Sequence, residues 1–403
     1  MAKVKSPPQK SEKDNFPAFP RVADVHVQIP DKLSKETKHK LVAVKEKAPK
    51  ALVQGASLVG MYIVEFTRGE DGKLVPWRNR KFVKPEQAEI NVGDFAVVYG
   101  RGIFEGINFY KDGILFFKEH IDRFYAGMEI ARLEMPMSRE EFEKLMFEAI
   151  ERSGLKQGYI RPILTAGRGK DGTLGINVGC EDPCVFVYVC PPLALYTEET
   201  YKKGIRLVES PYRKQPKSVM GLNNLKWTCY FTNLLVKAEA KERGYDDGVM
   251  LLKDPKGNKY VSEVSAANLF FMKNNVLYTP SLESNCLEGI TRNAFIKLAR
   301  EKGIEVVEKQ CTLAEFMEAD EAFATGTAAG LIAVSEITGR RIGTGAEGET
   351  TGMLRKAYYE EVVPNSLTPF AGTIRKFEEL EAGKDYFDLG EMEEKPGLPP
   401  RLE

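Results

Sequence analysis

The stretch Asn223-Asn-Leu-Lys226-Trp-Thr-Cys-Tyr230-Phe places one lysine among apolar and aromatic residues rather than on a charged face. Burial in such surroundings lowers the pKa of an amine, because it disfavours the charged form. A neutral lysine can bond covalently to an aldehyde cofactor and then carry protons as a general base and acid. An isolated lysine can also be a snorkelling or surface group. The stretch by itself therefore leaves a catalytic and a structural interpretation open.

Two segments on the C-terminal side of Lys226 have features of an anion site. Gly289-Ile-Thr-Arg-Asn opens a helix with a glycine, an N-cap hydroxyl and free backbone N–H groups, which suit a phosphate. Thr325-Gly-Thr-Ala-Ala is a turn of small residues whose backbone can approach a ligand closely. A well-capped helix and a plain glycine turn explain the two segments equally well. Glu263, isolated among uncharged residues, is open to the same two interpretations.

Apolar periodicity and turn signals predict short strands and helices in segregated runs, which indicates an α+β fold. Helices are expected at residues 118–133, 138–153, 226–243 and 291–302. Strands are expected at residues 61–66, 74–77, 95–99, 106–110, 114–117, 159–165, 185–189, 205–209, 248–252, 267–271 and 304–307. Ser138 and Glu141 form a capping-box pattern at the start of the second helix.

Prolines and charges divide the chain. The stiff pair Pro191-Pro192 indicates a linker between two domains, and both ends carry the charge and proline content of extensions outside a core. The predicted parts are an N-terminal extension at 1–57, a small domain at 58–190, a linker at 191–197, a large domain at 198–347 and a C-terminal extension at 348–403.

Composition restricts the class of partner. Lys+Arg and Asp+Glu both count 58, so no overall field attracts nucleic acid or an anionic membrane. We expect a small-molecule partner and, because no secretory signal or long apolar stretch is recognisable, a cytoplasmic protein. With 6 cysteines, no CxxC pair and 3 histidines, no metal is expected. Cys180 and Cys184 are interpreted as free thiols beside a strand.

The order of these segments resembles that of the fold-type-IV pyridoxal phosphate enzymes, the family of branched-chain aminotransferases, D-amino acid aminotransferases and aminodeoxychorismate lyases. The resemblance covers most of residues 61–345. Its elements are Tyr99-Gly-Arg-Gly-Ile-Phe-Glu-Gly106, His120-Ile-Asp-Arg123, Tyr159-Ile-Arg-Pro162, Lys226, Glu239-Ala-Lys-Glu-Arg-Gly244, Ser262-Glu263, Ala267-Asn-Leu-Phe270, Glu288-Gly-Ile-Thr-Arg292 and Gly326-Thr-Ala-Ala329. It implies a smaller N-terminal α/β domain, a larger C-terminal pseudo-barrel domain, and pyridoxal 5'-phosphate (PLP) as the cofactor.

The resemblance also implies a role for each matching site residue. Lys226 would be the catalytic residue, bonded covalently to PLP, and Glu263 would keep the pyridine nitrogen protonated so that the ring can withdraw electrons from the substrate. Tyr230 would hydrogen-bond the phenolic oxygen of the cofactor. The phosphate would be held by Arg123, Ile290, Thr291, Gly326 and Thr327. The substrate would be surrounded by Tyr99, Phe104, Tyr159, Arg161 and Ala328.

The details of the pattern point to more than one branch of the family. Phe-Glu-Gly106 and Tyr-Ile-Arg-Pro162 match the branched-chain enzymes, which implies ping-pong transfer of an amino group from an apolar L-amino acid to 2-oxoglutarate. Asn108, however, stands where an arginine is usual, Trp227-Thr-Cys follows the lysine in place of small residues, and Val264-Ser-Ala-Ala-Asn268 is nearer to the lyases. An aminodeoxychorismate-type lyase and a transaminase of D-amino acids or amines are therefore alternatives, as is a non-catalytic PLP-binding protein.

Two further expectations concern the surface. Family members are usually homodimers, which implies a homodimer or higher homo-oligomer in which Tyr99 serves the neighbouring subunit. The loop Gly167–Gly172, with Arg168 and Lys170, suits either contact with a substrate carboxylate or a plain hairpin turn.

Overall fold

The computed structural model describes residues 60–68, 73–83, 88–176, 179–193, 195–215 and 225–370. The predicted N-terminal extension, 1–57, lies outside these residues, as does the part of the C-terminal extension beyond residue 370. The proposed linker, 191–197, holds no helix or strand at its described positions.

The first of two large sheets is antiparallel and is built mainly from residues before the linker. Its strands are β1 (Gly60–Arg68), β2 (Leu74–Val83), β3 (Gly102–Phe104), β4 (Ile107–Tyr110), β5 (Gly113–Leu115), β6 (Gly158–Thr165), β9 (Cys184–Cys190) and β19 (Leu367–Thr368). Among the described residues the order is β19-β5-β4-β6-β9-β1-β2, with β3 also paired to β6. Its helices are α1 (Phe95–Tyr99), α2 (Phe117–Ala131) and α3 (Arg139–Ser153).

Alternation along β4 decides which side chains of this sheet reach the site. Ile107 and Phe109 are fully buried in the core, where they pack with apolar residues of α2 and α3 such as Ile121. Because successive side chains of a strand point to opposite faces, Asn108 and Tyr110 lie on the other face and are only partly buried.

The second large sheet mixes parallel and antiparallel pairs. Its strands are β10 (Ile205–Lys214), β11 (Asp247–Lys253), β12 (Lys259–Glu263), β13 (Asn268–Lys273), β14 (Val276–Pro280), β15 (Glu305–Lys309), β16 (Glu321–Gly326), β17 (Gly330–Ile337) and β18 (Arg340–Arg341). Within the described residues the order is β12-β11-β10-β17-β16-β13-β14-β15, with β18 paired to β17.

The helices that accompany the second sheet lie before and after Lys226 in the sequence. They are α4 (Glu198–Lys203), α5 (Phe231–Glu242), α6 (Ile290–Glu301), α7 (Leu313–Met317), α8 (Glu349–Ala357) and α9 (Val363–Asn365), with a π-helical turn at Tyr358–Val362. Leu354 of α8 and Tyr358 pack against Phe295 of α6 in one buried cluster. Separate runs of strands and helices confirm the predicted α+β class.

The small hairpin of β7 (Arg168–Gly169) and β8 (Cys180–Glu181) decides between the two interpretations of Arg168. The Nε of Arg168 lies 2.5 Å from a carboxylate oxygen of Asp182, and the Nη2 of Arg168 lies 3.5 Å from a carboxylate oxygen of Glu181. Arg168 is therefore neutralised within the hairpin, and the plain-turn interpretation is the one the structure favours.

Local sequence signals predicted most helix ends correctly. The capping box of Ser138 and Glu141 is present at the start of α3, and Gly154 ends that helix in the left-handed conformation. The predicted strand at 95–99 is wrong, since these residues form α1. The side chain of Asp94 accepts the N–H of Ala96 and caps this helix, which outweighs the β-propensity of its valines.

The predicted helix at 226–243 starts five residues too early. Residues 226–228 are extended because they pair with β3: the N–H of Phe104 donates to the carbonyl of Lys226 at 2.9 Å, and the N–H of Thr228 donates to Gly102 at 2.8 Å. The observed helix, α5, begins only at Phe231. Lys226 therefore lies on an extended segment held by a strand of the first sheet.

Candidate active site

A cavity lies between the start of α6, the turn joining β16 to β17, and the extended segment that carries Lys226. Its lining residues are Arg123, Lys226, Tyr230, Glu263, Ser265, Ala266, Ala267, Asn268, Leu287, Gly289, Ile290, Thr291, Thr325, Gly326 and Thr327. All of the cofactor-binding residues predicted from the sequence are among them. The fold thus brings together side chains that are far apart along the chain.

Lys226 occupies an aromatic environment. Its Nζ lies 4.6 Å from the ring centroid of Phe104 and 5.5 Å from that of Tyr230. Burial lowers the pKa of the Lys226 amine to about 8. The neutral form, which is the nucleophile, is therefore more populated near pH 7 than in an ordinary lysine.

Glu263 ends β12 with its carboxylate in the cavity and is 6% exposed. It accepts the N–H of Leu287 at 3.0 Å and the ammonium of Lys214 at 2.6 Å. Asn268 donates to it at 3.4 Å. Three donors hold the carboxylate in one orientation. The contact with Lys214 spans 49 positions and could not be read from the sequence.

The start of α6 offers donors to an anion. Its N-cap is Gly289, which makes no side-chain cap bond, so the N–H groups of the first turn are left for a ligand. A Cβ at Gly289 would lie 2.1 Å from the Oδ1 of Asn268, so glycine is required here. The expectation that Thr291 is the N-cap is wrong: it lies inside the first turn and is buried. Arg123 donates to the carbonyl of Glu288 at 2.8 Å, which places a cation beside these donors.

Glu105 is a site residue that sequence reasoning missed. It is 1% exposed and accepts from Nε and Nη2 of Arg123 at 2.7 and 2.8 Å, and Nδ1 of His120 lies 2.8 Å from it. Burial would raise the pKa of Glu105, but Arg123 and His120 hold it well below its usual range. The carboxylate therefore fixes the Arg123 guanidinium. Its position as the lone charge of Gly-Ile-Phe-Glu-Gly106-Ile was the available signal.

Three of the predicted substrate residues form one group beside Lys226. The guanidinium of Arg161 lies 5.0 Å from the ring centroid of Phe104 and 5.4 Å from that of Tyr159, and it donates to the Tyr159 hydroxyl at 3.0 Å. The Nε of Arg161 is buried without a hydrogen-bond partner among the described residues. A Cβ at Gly106 would lie 1.9 Å from the Tyr159 hydroxyl, so the Phe-Glu-Gly glycine admits this ring.

The remaining predicted substrate residues lie apart from this group. Ala328 lies in the turn joining β16 to β17, next to Thr327 of the cavity wall. Tyr99 is not among the described residues that line the cavity; its ring is 45% exposed and its hydroxyl donates to the carbonyl of Leu174 at 2.5 Å.

The described ranges show neither a metal site nor a membrane-spanning helix. No group of three or more His, Cys, Asp and Glu side chains there could hold a metal ion. No helix in that part of the chain is long and apolar enough to cross a membrane.

Comparison with known proteins gives a consistent set of likenesses. Residues 102–337 match the family described as Amino-transferase class IV. A putative branched-chain-amino-acid aminotransferase of Methanocaldococcus jannaschii is 38% identical over 281 residues, which is 70% of this chain and 93% of the relative.

Solved structures of the T.th. branched-chain amino acid aminotransferase are also similar. One, complexed with N-(5'-phosphopyridoxyl)-L-glutamate, has a TM-score of 0.65 at 33% identity and covers 78% of this chain and 99% of that one. Another, complexed with 4-methylvaleric acid, has a TM-score of 0.63 at 33% identity and covers 76% and 98%.

We predict that Lys226→Ala abolishes covalent attachment of PLP, because the amine that bonds to the aldehyde is removed. Visible absorbance of the purified protein, and peptide mapping after borohydride reduction, measure this directly. Lys237→Ala, a lysine of α5 paired with Asp247 at 3.0 Å, is the matched control and should keep the cofactor. Attachment at Lys214, the lysine bonded to Glu263, would contradict the assignment.

We predict that Glu105→Gln lowers the free energy of unfolding by about 3 kcal/mol, because it leaves the buried Arg123 charge without its counter-charge. Urea denaturation of the PLP-free protein measures the change. Glu199→Gln removes an exposed ion pair with Lys203 and should have little effect. Equal losses in the two variants would show that Glu105 is no more important than a surface charge.

Proposed function

The chain belongs to the class IV aminotransferases, which are PLP-dependent enzymes of fold type IV, and on this basis we propose that it transfers the amino group of a branched-chain or other apolar L-amino acid to 2-oxoglutarate. The observation that carries the proposal is the group of Lys226, Phe104 and Arg161, which sets an amine of lowered pKa against an aromatic wall and an incompletely paired cation. The names of the relatives support the substrate class.

The residues present fit PLP. The open first turn of α6 and the Arg123 guanidinium suit a phosphate. The Glu263 carboxylate suits the pyridine nitrogen. Tyr230 lines the same cavity, and we propose that it hydrogen-bonds the phenolic oxygen of PLP. Bound PLP supplies an electron sink that stabilises negative charge at the α-carbon of the substrate.

Lys226 then acts as the proton carrier. Its lowered pKa makes the free side chain a competent base near neutral pH, so Nζ can take the proton from the α-carbon of the amino donor in one half-reaction and supply a proton to the α-carbon of the acceptor in the other. The Lys214 ammonium, 2.6 Å from Glu263, balances the negative charge of that carboxylate. The same groups serve both half-reactions, as the ping-pong scheme requires.

The proposed reaction requires one site to bind both a branched apolar side chain and the distal carboxylate of glutamate or 2-oxoglutarate. The rings of Phe104 and Tyr159 offer apolar faces to a branched side chain, and Arg161, stacked on both, can pair with the distal carboxylate of glutamate or 2-oxoglutarate. The α-carboxylate would lie at the turn of Thr327 and Ala328. The T.th. enzyme, solved with a glutamate adduct and with 4-methylvaleric acid, supports such dual use.

We also propose that the chain is a homodimer. Val97, Val98 and Tyr99 are exposed, and the Tyr99 hydroxyl joins them to the loop that carries the exposed Leu174 and Ile176. Such a contiguous apolar surface is typical of an interface. In a dimer Tyr99 would serve the neighbouring active site. A cytoplasmic location stays a prediction from the sequence.

We predict that L-leucine or L-valine alone changes the visible absorbance of the holoenzyme, and that 2-oxoglutarate restores it. Each half-reaction is complete in itself because the amino group stays on the enzyme between them. Stopped-flow absorbance and parallel double-reciprocal plots measure this. A response to D-alanine but to no L-donor would favour the D-amino acid alternative, and turnover of aminodeoxychorismate without an oxo acid would favour the lyase.

We predict that Arg161→Met lowers kcat/KM for 2-oxoglutarate about 100-fold and that for L-leucine much less, because only the dicarboxylate uses the cation. Steady-state kinetics with each substrate varied measure the ratio. Arg206→Met is the matched control, since Arg206 also stacks on a tyrosine, Tyr245 at 4.9 Å. Equal losses for both substrates in Arg161→Met would mean that Arg161 does not select the dicarboxylate.

A further inference from the structure

The turn Thr327-Ala-Ala329 is held by side chains from two other parts of the fold. It joins β16 to β17, closed by the pair Gly326 and Gly330. The carbonyl of Thr327 accepts from Nδ2 of Asn108 at 2.7 Å, and the carbonyl of Ala329 accepts from the hydroxyl of Tyr201 at 3.0 Å. The two hydrogen-bond donors come from different parts of the fold. Asn108 belongs to β4 of the first sheet, and Tyr201 belongs to α4, a helix that accompanies the second sheet.

The position of Asn108 on β4 explains this contact. Asn108 pairs across the sheet with Tyr159, so the two side chains share the face that lines the substrate group. Tyr110, two residues on, lies on the same face of β4. From that face Nδ2 of Asn108 reaches the carbonyl of Thr327.

Fixing a carbonyl also fixes the neighbouring N–H. The C=O of Thr327 and the N–H of Ala328 belong to one planar trans peptide and point in opposite directions. Holding the oxygen against Asn108 therefore orients the Ala328 N–H to the other side of the turn. An N–H donor oriented in advance binds a carboxylate more tightly, because no ordering cost remains to be met on binding.

We propose that Asn108 is a positioning residue that orients the Thr327–Ala328 peptide for the α-carboxylate of the substrate. The inference rests on the proposed function, which puts that carboxylate at this turn. Asn108 is neutral, so it contributes through the hydrogen bond and not through a charge of its own. Its loss should weaken every ligand with an α-carboxylate alike and leave the chemical step unchanged.

The test is titration of the PLP-loaded enzyme with 4-methylvalerate, a carboxylate without an amino group that cannot react, followed by visible absorbance. Asn108→Ala should raise its Kd about 5-fold, as the loss of about 1 kcal/mol from one hydrogen bond implies. KM for L-leucine should rise by a similar factor, with kcat and PLP affinity unchanged. Asn108→Asp keeps the shape but sets a carboxylate against the Thr327 carbonyl, so it should weaken binding further.

Asn365→Ala is the matched control, since Asn365 also donates from Nδ2 to a backbone carbonyl at 2.7 Å, that of Glu361, away from the cavity. It should leave both constants unchanged. An unchanged Kd in both Asn108 variants, or an equal rise in Asn365→Ala, would overturn the assignment. A wild-type enzyme that neither binds 4-methylvalerate nor transaminates L-leucine would instead overturn the proposed function, which separates the two failures.

Discussion

The backbone pairing between Gly102–Phe104 and Lys226–Thr228 is the contact on which the site depends. It holds the lysine on an extended segment against a strand of the first sheet, while the adjoining helix, α5, packs on the second. Because the bonds are made by main-chain atoms, the position of Lys226 does not depend on one side chain. The Phe104 ring lies against its Nζ as a direct result.

The positions of the charged side chains around the cavity follow from this pairing of β3 with the Lys226 segment. Glu105, the residue after Phe104, binds the Arg123 guanidinium and so directs it to the start of α6, and Lys214 holds the Glu263 carboxylate. Arg123 and Glu263 each have a counter-charge, which offsets the desolvation of these two groups. The Lys226 amine has no direct ion pair among the described residues, and burial therefore controls its pKa.

The substrate side shows how one sheet face can serve two chemistries. Phe104, Tyr159 and Arg161 lie on neighbouring strands, β3 and β6, so aromatic faces and a cation share one surface. The turn of Thr327 and Ala328 comes from the other large sheet and meets this surface through Asn108. On the proposed function, substrate specificity is thus divided between both sheets.

The sequence by itself determined what depends on neighbours along the chain: the helices α2, α3 and α6, the capping box at Ser138, and the resemblance that predicted the cavity's residues. It failed at Phe95–Tyr99, where Asp94 outweighed strand propensity, and at Lys226, where pairing with β3 replaced the first turns of a helix. Only the tertiary structure decided the contacts of Glu105 with Arg123, Lys214 with Glu263 and Asn108 with Thr327, which span 18, 49 and 219 positions. Such contacts depend on how the sheets fold together, and local propensity carries no information about that.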